Sequence, residues 1–158
     1  MDCTFLTELG KLNFRVGAII TNGRKILMAR NPNERRRFYY SVGGRVKFGE
    51  TVEEAILREV KEETGIDCEI DRMAALHENF FTDDDGTPFH EVSLFFVIKQ
   101  NEKLVDIGSG TPTEGGPHNE YLEWIDLDNS QDITIYPDFY RTVDFDSDRE
   151  FKHFISKE

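Results

Sequence analysis

Gly44-Arg45-Val46-Lys47-Phe48-Gly49-Glu50 runs into Thr51-Val52-Glu53-Glu54-Ala55-Ile56-Leu57-Arg58-Glu59-Val60-Lys61-Glu62-Glu63-Thr64-Gly65-Ile66. The second half reads as a helix over 51–64. Thr51 is a natural N-cap, Glu54 three residues on completes a capping box, and Gly65 stands where a left-handed C-terminal residue belongs. The stretch carries six glutamates, at 50, 53, 54, 59, 62 and 63. A solvated face is the ordinary meaning of such a run, but the helical wheel disagrees. With Glu59 at zero and about 100° per residue, Glu62 falls near 300°, Glu63 near 40° and Ala55 near 320°. Ile56, Val60 and Leu57 form an apolar arc at roughly 60–160°, and Lys61, Glu54 and Arg58 occupy a solvent side at roughly 200–260°. Three acids thus form a stripe beside the core stripe, with a small residue in its middle. Glu59 and Glu63 are also a like-charge i,i+4 pair, unfavourable in an isolated helix. On the wheel nothing neutralises that face; a divalent cation would, since Mg²⁺ and Mn²⁺ favour oxygen ligands.

On either side of this stretch the chain reads as strands. Phe14–Ile20 is a buried strand, Thr21-Asn22-Gly23-Arg24 a hairpin turn, and Lys25–Arg30 the returning strand. Phe38–Val42 is a short strand ahead of Gly43-Gly44. Further strands are expected near 67–80, 91–99 and 121–126, a Gly-, Pro- and Thr-rich loop over 106–119, and a poorly patterned helical tail within 137–156. The class is α+β. Asp83-Asp84-Asp85-Gly86 reads as a hairpin turn. The aromatics Phe14, Phe38, Tyr39, Tyr40, Phe80 and Phe81 read mostly as core, with one or two free to stack on a base.

Composition bounds the rest. The chain has 158 residues, 38% hydrophobic, with thirteen Phe, which suits one domain over 1–158 with a real core. Nineteen basic against thirty-one acidic residues give a formal charge of −12. That disfavours nucleic-acid polymers and anionic membranes but leaves small phosphorylated ligands open, because bound metal ions reverse the local sign. No apolar run approaches a membrane span, and the first residues lack the basic and apolar regions of a signal peptide. Cys3 and Cys68 are the only cysteines and read as unrelated free thiols, which points to the cytoplasm.

The spacing Gly44, five residues, Glu50, seven residues, Arg58-Glu59-Val60-Lys61-Glu62-Glu63-Thr64-Gly65-Ile66 resembles the 23-residue Nudix box of the Nudix hydrolase superfamily over residues 44–66. A weaker resemblance in element order spans roughly 14–127. It implies the Nudix fold, an α/β/α sandwich around a mixed sheet with a loop–helix–loop box. It also implies hydrolysis, by water attack on phosphorus, of a nucleoside diphosphate linked to another moiety. On this resemblance Glu59 and Glu63 are the principal ligands of Mg²⁺ or Mn²⁺, and Glu62 is a third acid. A backbone carbonyl at Gly43 or Gly44 completes the site. Glu50 and Arg58 support it, with Arg58 holding a box glutamate. The general base comes from the box or from the late loop, where Glu120 and Glu114 are candidates. Arg35, Arg36 and Arg37, the basic cluster, read either as a solvated loop balancing local charge or as a clamp for substrate phosphates; Arg15 and Arg30 are lesser candidates, and Glu91 is a candidate substrate contact.

Val42 stands where many relatives have proline. The accessory motifs of the NADH, ADP-ribose, dinucleoside polyphosphate and coenzyme A subgroups are not visible. A small nucleotide, such as a nucleoside triphosphate or a nucleotide sugar, is the expected substrate. A catalytically silent nucleotide sensor on the same fold is the alternative, and a homodimer is left open. A prenyl diphosphate isomerase would want a cysteine within 41–50, and there is none.

Overall fold

The computed structural model describes residues 1–34, 37–113 and 120–158. In chain order the strands are β1 (Thr4–Thr7), β2 (Gly10–Ile19), β3 (Thr21–Asn22), β4 (Lys25–Arg30), β5 (Phe38–Arg45), β6 (Ile70–Thr82), β7 (Pro88–Ile98), β8 (Thr111–Pro112), β9 (Tyr121–Asp126), β10 (Thr134–Tyr136) and β11 (Lys152–Lys157). Helix α1 (Val52–Thr64) follows β5, a short α2 (Glu102–Val105) follows β7, and a 3₁₀ turn covers Asp138–Arg141. The strands form one mixed sheet in the order β11-β6-β7-β2-β5-β4-β9-β8, with β1 beside β2, β3 beside β4 and β10 beside β5. β2 runs parallel to β7 and antiparallel to β5. The expected α+β class and mixed sheet are borne out.

Strand alternation divides the core in two. On one face Val16, Ala18, Leu27, Val42, Phe96 and Leu122 pack against Ala55, Ile56 and Val60 of α1. On the other, Ile19, Met28, Tyr39, Phe95 and Ile135 pack against Phe139, Tyr140 and Phe145. That second layer is the 3₁₀ turn and the segment after it. Phe139 lies between Phe95 (5.1 Å), His77 (5.6 Å) and Phe154 (4.2 Å, stacked).

Helix α1 ends where its local signals direct. Thr51 Oγ1 accepts from the Glu54 amide (3.1 Å), and Glu54 Oε2 accepts from the Thr51 amide (3.0 Å). Gly65 takes φ 76°, and its N–H donates to Lys61 O.

The C-terminal expectation is overturned. Within 137–156 the only helical piece is the 3₁₀ turn, and Lys152–Lys157 is an edge strand parallel to β6, with Phe154 opposite His77. Phe151, Phe154 and Ile155 sit at i, i+3 and i+4, a helical spacing, but the open edge of β6 offers a ladder that local propensity does not foresee. The expected loop at 106–119 contains β8, paired with β9. Of the two neighbouring tyrosines, Tyr39 is fully buried while Tyr40 is exposed, within the expectation that one or two of these aromatics stay free. Asp83–Gly86 is the β6–β7 hairpin turn, and both cysteines are free. Among the described residues, no helix is long and apolar enough to cross a membrane.

Candidate active site

Of the acidic stripe of α1, Glu59 and Glu63 turn toward the sheet while Glu62 stays exposed. Ala55, in its middle, has no exposed surface, so the flanking acids are pressed toward the sheet. Glu59 lies over Gly44, and a Cβ on Gly44 would sit 2.4 Å from Glu59 Oε1. One turn on, Glu63 accepts a long hydrogen bond (3.4 Å) from the Gly43 amide. Two consecutive glycines at the end of β5 therefore let strand backbone and helix carboxylates approach where side chains would intrude.

Arg58 organises the entry to this site. Its Nε donates to Glu50 Oε1 (2.6 Å) and its Nη2 to Glu50 Oε2 (3.0 Å), a bidentate pair. Nη1 donates to Glu59 Oε1 (2.8 Å) and Glu62 Oε2 (3.3 Å), and Nη2 reaches Arg45 O (3.0 Å). Glu50 also accepts from the Lys47 amide (2.8 Å). The wheel had placed Arg58 among the solvent residues and left the acids without a neutralising partner. Both points are corrected. The backbone position is lateral, but the long side chain folds back over the stripe, and only 21% of it stays exposed. These bonds hold the Glu50 carboxyl below its usual range despite partial burial.

Among the described residues Glu63 has no such partner. Burial first, then the neighbouring charge of Glu59, pushes its carboxyl well above the usual range; the Gly43 N–H opposes this. Among the same residues its buried Oε2 finds no hydrogen-bond partner. Burial likewise raises Glu59, against the pull of Arg58. Two adjacent half-buried carboxyls, one with an orphaned oxygen, are a donor set that a divalent cation satisfies. Among the described residues, no three His, Cys, Asp or Glu side chains already converge in metal-holding geometry. Arg58 engages Glu59 and Glu62, and Glu62 is nearly half exposed.

The remaining candidates scatter. Glu120 precedes β9, and its charge acts on both Glu63 and Tyr40, so it stands beside the site. Arg15 on β2 is also close enough to act on Glu59 and Glu63. Glu91 is not drawn into the acid cluster. It pairs with Asn13 on the sheet face away from α1 and accepts from Asn13 Nδ2 (2.7 Å). Arg37 turns to that face too, donating to Tyr39 Oη (3.2 Å) and lying 3.9 Å from Asp132. Arg30 donates to Tyr121 Oη (3.0 Å). Arg35, Arg36 and Glu114 lie outside the described residues. His77 and Glu78 do not pair with each other: His77 meets Ser156 (2.9 Å) and Glu78 meets His153 (2.8 Å), on opposite faces. Sequence reasoning gave no sign of Tyr136, which stacks beside Tyr40.

A family model described as the NUDIX domain matches residues 11–144, and the chain belongs to that family. It is 32% identical over 115 residues to an ADP-ribose pyrophosphatase of Methanocaldococcus jannaschii, covering 72% of this chain and 62% of that one. It is 34% identical over 150 residues to a putative nudix hydrolase 1 of Caenorhabditis elegans, covering 90% and 37%. The chain thus spans less than two thirds of the length of these relatives. The crystal structure of a MutT protein from Bacillus halodurans superposes with a TM-score of 0.60 at 18% identity, covering 92% of this chain and 90% of that one, a likeness of fold.

Proposed function

We propose that this protein is a divalent-metal-dependent hydrolase that cleaves a diphosphate bond in a nucleoside diphosphate linked to another moiety, by water attack on phosphorus. The observation that carries this is the Glu59–Glu63 pair, half-buried against Gly43-Gly44, with one buried carboxylate oxygen orphaned among the described residues. Family membership supports it, as does the ADP-ribose pyrophosphatase among the relatives. Glu59 and Glu63, with Glu62 and a carbonyl at Gly43 or Gly44, would hold Mg²⁺ or Mn²⁺. Such an ion, when bound, polarises phosphoryl oxygens and lowers the pKa of a bound water.

The chain's own residues prepare that site. Arg58 fixes Glu50 and aims Glu59. The Gly43 N–H orients Glu63. Glu120, whose charge reaches Glu63, would orient or deprotonate the attacking water. Arg15 lends positive charge for substrate phosphate. To the same reading belong a small nucleotide as substrate and a cytoplasmic location, in keeping with two unpaired thiols.

The test is a product-resolved screen of wild type beside Glu63→Gln, with Mg²⁺ and Mn²⁺. The panel holds nucleoside triphosphates, ADP-ribose, nucleotide sugars, dinucleoside polyphosphates, NADH and coenzyme A. Turnover of one class, reduced at least ~100-fold in the variant, or ~2.7 kcal/mol of barrier, is expected. No turnover on any member by protein that binds Mn²⁺ would overturn hydrolysis and favour a nucleotide sensor.

A further inference from the structure

Phe38 and Tyr40 lie on the α1 side of β5, at alternate positions with Val42 and Gly44. Tyr136 of β10 is the register partner of Tyr40. The two tyrosine rings lie 5.7 Å apart, inclined by only 19°, and Phe38 braces Tyr136 edge-on at 5.3 Å. Tyr40 is 37% exposed and Tyr136 42% exposed, so the two nearly parallel rings stack on each other and each keeps part of its surface open. Tyr40 Oη donates to Glu34 (3.1 Å to Oε2), which pins one ring and sets a carboxylate at the rim.

The position of this surface gives it meaning. Three residues of extended strand, ~10 Å, separate Tyr40 from Gly43 and the half-buried glutamates. Glu120 stands close enough to both to act on each. A molecule bridging the two places is flat and aromatic at one end and carries a diphosphate at the other. Glu34 also fixes the orientation, because its negative charge turns phosphate away and accepts hydrogen bonds from amino groups. A prenyl or polyol diphosphate would leave the rings unused.

We propose that the stacked Tyr40–Tyr136 pair is a shelf whose open ring face takes the base of a nucleotide, with Glu34 at its rim reading amino groups on the base edge. This deepens the hydrolase reading and rests on it for where the diphosphate lies. An aromatic platform is sequence-tolerant, since every base has a π-face, so discrimination falls to Glu34.

The test is equilibrium binding, by calorimetry with Ca²⁺ present, of three probes: ADP, IDP and inorganic pyrophosphate. Both tyrosines are surface-exposed, so Tyr136→Ala and Tyr40→Ala are expected to remain folded, which thermal melts check. Each is expected to weaken ADP by about tenfold or more, the scale of one lost base–aromatic stack, and to leave pyrophosphate within about twofold. Tyr136→Trp restores ADP. Wild type prefers ADP to IDP by about tenfold, the scale of a charge-assisted hydrogen bond, and Glu34→Gln erases that preference. Unchanged ADP affinity in Tyr136→Ala overturns the shelf, as does an equal loss of pyrophosphate. Equal binding of ADP and IDP by wild type overturns the role of Glu34. The hydrolase reading fails separately: a protein that binds ADP through the tyrosines yet turns over nothing keeps the shelf and loses the activity.

Discussion

Gly44→Ala separates catalysis from stability. Gly44 lies outside the left-handed backbone region, so alanine carries no backbone strain there. Its Cβ would lie 2.4 Å from Glu59 Oε1, 2.5 Å from Cδ and 2.7 Å from Oε2. Comfortable heavy-atom separation is ~3.5 Å, so the carboxylate must retreat by about 1 Å. It is the far end of a flexible side chain and can do so at the low end of the ~1–3 kcal/mol of overpacking. At roughly 2–4 °C per kcal/mol for a chain of this size, Tm falls by only a few degrees. A misplacement of ~1 Å in a positioned group costs ~100-fold in rate. Gly17→Ala is the mirror case. Its Cβ would lie 2.3 Å from Phe95 Cε1, a ring already packed against Phe139 and Tyr140. That ring has nowhere to go, so the cost lies at ~3 kcal/mol or above and shows in Tm, with activity per folded molecule largely kept. The assays are calorimetric Tm, kcat/KM on the substrate found by the screen, and Mn²⁺ affinity by EPR. Gly44→Ala with kcat/KM within threefold of wild type and unchanged Mn²⁺ affinity would refute the link between close approach and ligand placement.

Two further expectations concern the opposite face. Phe139→Ala removes a ring held by Phe95, His77 and Phe154, and should cost ~3–5 kcal/mol. In hydrogen exchange, the amides of β11 should lose protection before those of β2, because Phe154 stacks directly on Phe139; equal loss across the sheet would count against a tail held by that ring. His77 titrates below its usual range, because burial penalises the imidazolium more than Asp138 and Glu91 favour it. The unfolded chain therefore takes up a proton at higher pH than the folded one. Stability from this residue is complete above the unfolded value of ~6.5 and declines as pH falls through and below it. Urea midpoints for wild type and His77→Gln should converge on acidification from pH 7.5 to 5, and parallel curves would refute the assignment.

What could be read in advance follows the range of the forces involved. Helix α1 was legible to within one residue because each of its end signals is local: Thr51 bonds Glu54 at one end, and Gly65 bonds Lys61 at the other. The inward tilt of the acidic stripe was legible too, because the wheel put Ala55 at its centre, and Ala55 is fully buried. The errors share a cause. Arg58 looked solvated because a wheel plots Cα directions, whereas its guanidinium reaches back to four separate acceptor groups. The strand at Lys152–Lys157 was hidden because its order comes from β6, some seventy-seven residues away, and not from its own apolar spacing.

The same distinction explains why the chemistry was easier to see than its ligand. Holding two carboxylates together in a half-buried place costs stability, and a sequence seldom does so on a helix face without a compensating charge. That conflict is visible in fourteen consecutive residues, Glu50 to Glu63. Base recognition involves no such conflict. It needs flat surface in the right place, and here that surface is assembled from Tyr40 and Tyr136, nearly a hundred positions apart, paired by the parallel register of β10 on β5. Neither tyrosine is unusual alone. Only the fold shows that both stand exposed on the same side as the half-buried glutamates, within the reach of one extended nucleotide.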